Sequence, residues 1–237
     1  MSLEFGVNLN NREPLIAPDY DLQMLLDLAE RVEEHGFDSL WVGDSLFSKP
    51  RWEPISLLSA ISQRTERVKL GTACMVSSTR NPLYLALEWA TLDALSGGRT
   101  ILGTGAGNPE QGVRREFEAL GLQFGKRGEI FEEGLAVLRA LWTEGRVTFE
   151  GKHFRYDDVA FYSGTEMGPL MPVQSPPQIT VPSSCTFGVE SSLRKQASEL
   201  CRSVAKKNRV RSSFAFDFFE NRPIVRTIPP YSTGSSR

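Results

Sequence analysis

The stretch GTACMVSSTRNPLYLALEWATLDALSGGRTILGTGAGNPE, residues 71–110, decides the fold. It opens inside an apolar run, residues 68–73, that gives way to Cys74 and Met75. Asn81-Pro82 then sets a capping side chain before a proline at the first helical position. Apolar residues continue to Leu95, and Gly97-Gly98 stop the helix. A second apolar run, residues 99–105, ends in a glycine-rich exit. Strand, helix and strand within about thirty residues form the repeat of a parallel sheet. Near-continuous apolar strands suit a sheet covered on both faces.

The repeat extends in both directions. Residues 3–8 and 39–43 are further apolar runs that end in polar or glycine turns. Leu22, Leu25, Leu26, Ala29 and Val32 recur at helical spacing, and Gly36 stops them. Pro54 opens a segment carrying Leu57, Leu58 and Ile61, and a fourth segment carries Ile130, Leu135, Leu138, Leu141 and Trp142. Residues 146–156, RVTFEGKHFRY, alternate in period two around Gly151 and predict an inserted β-hairpin. Residues 178–181 offer a fifth strand after the loop MPVQSPP. The order predicts an α/β fold.

The totals set bounds. The chain has 237 residues, close to the size of one parallel barrel. Hydrophobic residues at 40% and charged residues at 24% fit a soluble globular protein, and a net charge of −2 gives no reason to expect nucleic acid or a membrane. The first residues lack the pattern of a signal peptide, and no run approaches the ~18 apolar residues of a membrane span. Three cysteines argue against a disulfide framework and fit a reducing compartment, so a cytoplasmic location is expected. His35 and His153 lie far apart, and no Cys/His spacing suggests a metal site. Residues 183–237 differ in character: ten Lys/Arg stand against four Asp/Glu, with eleven serines, whereas residues 1–182 hold seventeen against twenty-five. A helical pattern at 193–204 and an aromatic cluster at 214–219 are the only features there. The basic, serine-rich tail, residues 184–237, is expected to be poorly ordered.

In a parallel barrel the reactive groups gather where the strands end. Those exits carry Asn8, Asn10 and Asn11; Asp44 and Ser45; Ala73, Cys74 and Met75; and Thr104 to Asn108. Asp44 is the best catalytic candidate, since a carboxylate there binds a cofactor N–H or moves a proton; the other reading is a loop cap. Ser45 is a hydrogen-bond donor to a ring or a turn residue. Cys74 has no histidine near it in sequence, which favours packing over a nucleophile. GTGAGN, residues 103–108, has the spacing G-x-G-x-G, not the dinucleotide pattern, and its glycines admit a planar ligand or serve turn geometry alone. Trp41, Phe47 and Trp52 flank Asp44 as pocket walls or as ordinary packing. His153 falls in the hairpin as a surface residue.

The motifs TRNPLYLA (79–86), ATLDALSGGR (90–99) and LGTGAG (102–107) resemble the luciferase-like monooxygenases, a family that also holds deazaflavin-dependent dehydrogenases and reductases. GFDSLWVGDS (36–45), RTERVKLGT (64–72), residues 127–154 and PVQSPPQITVPS (172–183) extend the likeness over residues 1–183. The resemblance implies a TIM (β/α)8 barrel with insertions and a cofactor ring lying over the C-terminal strand ends. It also implies a non-proline cis peptide after the third strand, here at Ala73–Cys74. By position, Asp44, Ser45, Ala73, Cys74, Gly105, Ala106, Gly107 and Asn108 become the cofactor contacts. The leading implied activity is a two-component monooxygenase, in which reduced FMN from a flavin reductase reacts with oxygen and a small organic substrate is oxygenated. The alternative is a dehydrogenase or reductase dependent on the deazaflavin coenzyme F420, which transfers hydride without oxygen. A third reading is an inactive truncated barrel or a non-catalytic subunit. The family's habit implies a homodimer if the barrel is complete.

The chain departs from the family in three ways. Ser45 stands where many members carry histidine, which disfavours the dehydrogenase version. Asn108 stands where several deazaflavin enzymes have an acid, and Ala106 where luciferase-type members have a phosphate-binding arginine. The likeness also stops near Ser183, whereas the family continues through three more strand–helix units. A barrel truncated after about five strands, with a frameshifted or unrelated ending and open sheet edges, is therefore expected.

Overall fold

The computed structural model describes residues 4–17, 19–161 and 170–181. Its main sheet is built from β1 (Gly6–Leu9), β2 (Ser39–Val42), β3 (Lys69–Thr72), β4 (Met75–Val76), β5 (Thr100–Gly105) and β8 (Gln178–Thr180). The order is β1-β2-β3-β5, with β4 and β8 also pairing β5, and every pair is parallel. Between the strands run α1 (Glu13–Ile16), α2 (Leu22–Glu34), α3 (Pro54–Ser62), α4 (Pro82–Ser96), α5 (Gln111–Ala119) and α6 (Arg127–Glu144). This is the α/β barrel progression that the sequence predicts. Among the described residues β1 and β8 are the sheet's two edges.

Local chemistry explains where the helices begin and end. The Asp21 carboxylate accepts from Met24 N at 2.8 Å and starts α2, whose buried stripe is Leu25, Ala29 and Val32. Glu53 accepts from Ser56 N at 2.7 Å and Asn81 from Leu83 N at 2.9 Å, each just before the proline that opens α3 or α4. Gly97, at φ +68°, closes α4 in the left-handed conformation. Helix α4 packs between α3 and α6 and buries Leu85, Ala86, Trp89, Ala90 and Leu92. Trp142 of α6 adds a hydrogen bond from Nε1 to Ala86 O at 3.0 Å. Hydropathy patterning does not announce α5, because its buried residues are only Val113, Glu116 and Phe117 among charged neighbours.

β3 and β4 are one strand broken by a bulge. Gly71 pairs with Ile101 and Met75 with Thr104, so Thr72, Ala73 and Cys74 face only Leu102 and Gly103. The Ala73–Cys74 peptide in this bulge is cis, at the place the resemblance implies. Gly103 makes the bulge possible: a Cβ there would lie 1.9 Å from Thr72 O. The Thr72 hydroxyl donates to Gly103 O at 2.8 Å across the same gap.

β8 is anchored by the loop before it. Gln174 donates from its backbone to Asp93 Oδ2 at 2.9 Å and from its amide to Asp93 Oδ1 at 2.7 Å and Thr100 O at 2.9 Å. The inserted hairpin pairs β6 (Arg146–Glu150) with β7 (Arg155–Ala160). It runs past the expected end at Tyr156, because a register shift after Val147 lets the pairing continue to Ala160. Glu133 of α6 accepts from the backbones of Lys152, His153 and Phe154 and fixes the turn. His153 is half-buried in that turn, with Nε2 3.4 Å from Glu129 Oε2, rather than a free surface residue. The 184–237 tail, with its helical pattern and aromatic cluster, lies outside the described residues. No described helix is long and apolar enough to cross a membrane.

Candidate active site

Parallel strands bring all their C-terminal exits to one end of the sheet. Asp44 lies just beyond β2, with only 6% of its side chain exposed. One oxygen accepts from Val76 N at 2.9 Å, and the other pairs with Arg80 at 3.0 Å. Asp44 therefore ties the β2 exit to β4 and to the turn that leads into α4. Arg80 also reaches Glu53 at 3.2 Å. Burial alone would lower the Arg80 pKa, but Asp44 and Glu53 raise it above the ordinary value and hold the guanidinium charged.

Ser45 is committed to the protein. Its hydroxyl donates to Glu116 Oε1 at 2.9 Å and accepts from Lys49 N at 2.9 Å. The same Glu116 oxygen accepts from Phe47 N at 2.8 Å and Ser48 N at 2.7 Å. Glu116 is 2% exposed. Burial would raise its pKa, but the hydrogen bonds from Ser48 N, Phe47 N and the two serine hydroxyls overturn that and leave it lowered. A buried anion on α5 thus organises the whole loop after β2.

At the first exit Asn11 is fully buried. Its amide donates to Gly43 O and Trp52 O, each at 2.9 Å, and its carbonyl accepts from Arg51 Nη1 at 2.7 Å. Gly43 leaves room for that guanidinium, since a Cβ there would lie 2.4 Å from Arg51 Nη1. At the third exit Ala73 and Cys74 are half-buried in the bulge. Cys74 is disulfide-bonded, which removes the free-thiol nucleophile.

At the fourth exit Gly105 ends β5 and pairs with Val76. Ala106 is buried against Phe131, so its side chain faces the helix layer, and its carbonyl accepts from Ser78 Oγ at 2.9 Å. Gly107 has φ +90°, and its carbonyl accepts from Arg127 Nε at 3.2 Å. The Asn108 amide donates to Glu110 Oε1 at 2.9 Å. Trp41 lies across Gly6 and Gly71 in the sheet, while Phe47 and Trp52 are exposed. The structure thus joins Asp44, the Ala73–Cys74 bulge and Gly105 through β4, and it leaves the side chains of Ala106 and Asn108 outside that cluster.

Three residues central to this architecture are not among the sequence candidates: Arg80, Arg51 and Glu116. Arg80 stands inside the TRNP motif, but its partner Asp44 is 36 residues away. Glu116 carries no signal, being one acid among the charged residues of α5. Among the described residues no group of three or more His, Cys, Asp or Glu is placed to hold a metal.

The sequence signature described as luciferase-like monooxygenase matches residues 3–188. The chain belongs to the luciferase-like monooxygenase family. Within this family it is similar to the F420-dependent glucose-6-phosphate dehydrogenase of Nocardia farcinica, with 34% identity over 158 residues, 64% of this chain and 47% of the relative. The enzyme of the same name from Intrasporangium calvum is 38% identical over 156 residues, 62% of this chain and 46% of the relative. The chain spans about half the length of these curated relatives. Among solved structures, a monooxygenase from Streptomyces bottropensis superimposes with a TM-score of 0.63 at 24% identity, over 86% of this chain and 66% of that one. That likeness establishes the shared luciferase-like fold.

Proposed function

We propose that this protein is a deazaflavin-dependent oxidoreductase, passing a hydride between coenzyme F420 and a small organic substrate at the strand exits. The observation that carries this reading is the identity of 34% and 38% to curated F420-dependent relatives. The sequence motifs alone put the FMN-dependent monooxygenase first; these relatives favour the hydride-transfer alternative. The likeness to a monooxygenase structure is one of fold and does not weigh against it.

The residues present fit such a cofactor. The half-buried Ala73 keeps its place in the bulge free of a bulky side chain. The Nε atoms of Arg12 and Arg80 are buried without a hydrogen-bond partner, donors suited to an anionic ligand. The bound deazaflavin supplies the hydride chemistry. The chain's own residues position it. Asp44 holds the bulge through Val76 N and orients Arg80, while Ser45, whose hydroxyl donates to Glu116 and accepts from Lys49 N, steadies the loop.

The test is a parallel titration of the 237-residue chain with oxidised coenzyme F420 and with FMN, followed by absorbance and fluorescence. Turnover is then compared with reduced deazaflavin under nitrogen and with reduced FMN plus oxygen. Saturable deazaflavin binding and oxygen-independent turnover are expected. Preferential FMN binding with an oxygenated product would overturn the reading in favour of the monooxygenase. Binding of neither by a folded sample would favour a non-catalytic chain.

A further inference from the structure

Arg12 and Arg51 meet at the strand exits from two different loops. Arg12 follows β1 and Arg51 follows β2. The hydrogen bonds from Arg51 Nη1 to Asn11 Oδ1, at 2.7 Å, and from Trp52 N to Asn11 O, at 3.2 Å, clamp the two loops together. Both arginines are half-buried. Neither forms an ion pair with a described acid. Asp44 attracts Arg51 only at longer range and is itself occupied by Arg80 and Val76 N.

A structural role accounts for Arg51, which lies on the Gly43 backbone and is gripped by a buried asparagine. It does not account for Arg12, whose Nε is buried with no partner. Burial and the neighbouring Arg12 push the Arg51 pKa down, and the more distant Asp44 offsets this only in part. Pre-set guanidinium forks that lack a carboxylate match the oxygens of a tetrahedral oxyanion.

We infer that Arg12 and Arg51 form a binding site for a phosphate group, cradled by Asn11 at the β1 and β2 exits. The site rests on the proposed function only in taking the strand exits as the ligand-binding end. The phosphate belongs either to the substrate or to the cofactor, and the two sources are separable.

The experiment titrates the full chain with inorganic phosphate by calorimetry and by the Nε–Hε resonances of arginine in 15N spectra. Saturable binding is expected, with both Arg12→Gln and Arg51→Gln weakening it at least about tenfold. Arg64→Gln, which removes a side chain paired to Asp27 and Glu30, is expected to leave it unchanged. Arg12→Gln keeps every described hydrogen bond of the Asn11 clamp, so it tests the site even if Arg51→Gln fails to fold. A linear, non-saturating response, or equal affinity in the Arg12 variant, would overturn the site. Simultaneous binding of phosphate and deazaflavin assigns the site to a phosphorylated substrate, and mutual exclusion assigns it to the cofactor's phosphate. Phosphate binding without any deazaflavin binding would sink the proposed function and leave the site standing.

Discussion

The Ser45 hydroxyl donates to Glu116 Oε1 at 2.9 Å across 71 residues of sequence, so a buried carboxylate on α5 sets the conformation of the loop after β2. Phe47 N and Ser48 N converge on the same oxygen. Glu116→Gln keeps the shape but removes the charge that these donors stabilise. It is expected to cost about 1–3 kcal/mol in urea unfolding and to speed amide exchange at Phe47 and Ser48.

Acid should erase the same contribution. The folded pKa of Glu116 is lowered from its ordinary 4.5, so the stabilisation is fully present above that value. It is lost as the pH falls through the lowered folded value. Wild type should therefore lose stability below pH 4.5 more steeply than Glu116→Gln does, in denaturation curves collected at several pH values. Parallel curves for the two proteins would contradict this assignment.

Asp44 and Arg80 form the ion pair that fastens β2 to β4. Asp44→Asn keeps an oxygen for Val76 N and removes both the charge and the acceptor that faces Arg80. In a double-mutant cycle with Arg80→Met, a coupling of about 1–3 kcal/mol is expected, because the pair is mostly shielded from water. Deazaflavin affinity should fall in the same variants, measured by absorbance titration. A coupling near zero would mean that the pair contributes nothing to the bulge.

Among the described glycines, Gly103→Ala should be the most damaging alanine substitution. Its Cβ would meet Thr72 O at 1.9 Å, backbone against side chain, with no rotamer to relieve it. A loss of more than about 3 kcal/mol, or insoluble protein, is expected. Gly125→Ala meets nothing within 4 Å and should stay within about 0.5 kcal/mol of wild type. Thermal melts of the two variants side by side make the comparison.

Gln174→Leu should loosen β8. It removes the side-chain amide that donates to Asp93 Oδ1 at 2.7 Å and to Thr100 O at 2.9 Å, and leaves the fully buried Asp93 with the Thr100 hydroxyl at 2.6 Å and Gln174 N at 2.9 Å. A loss of about 1–3 kcal/mol is expected in unfolding experiments, with faster exchange at Ile179 and Thr180.

The amino-acid sequence by itself determined the parallel α/β repeat and most element boundaries. These depend on short-range signals: apolar runs, helical periodicity, Asn81-Pro82 at one end of α4 and Gly97 at the other. The motif resemblance also located the Ala73–Cys74 cis peptide and marked Asp44 as an important position. What a side chain does there was decided only by tertiary structure. Asp44 meets Arg80, Asn11 meets Arg51 and Ser45 meets Glu116 across 36, 40 and 71 residues. No local pattern encodes such meetings, because each depends on strand register and on how α5 returns over the β2 exit. Ala106 shows the same limit from the other side: it stands in a glycine-rich exit, yet the alternation of the chain beyond β5 turns its side chain onto Phe131 and away from the site.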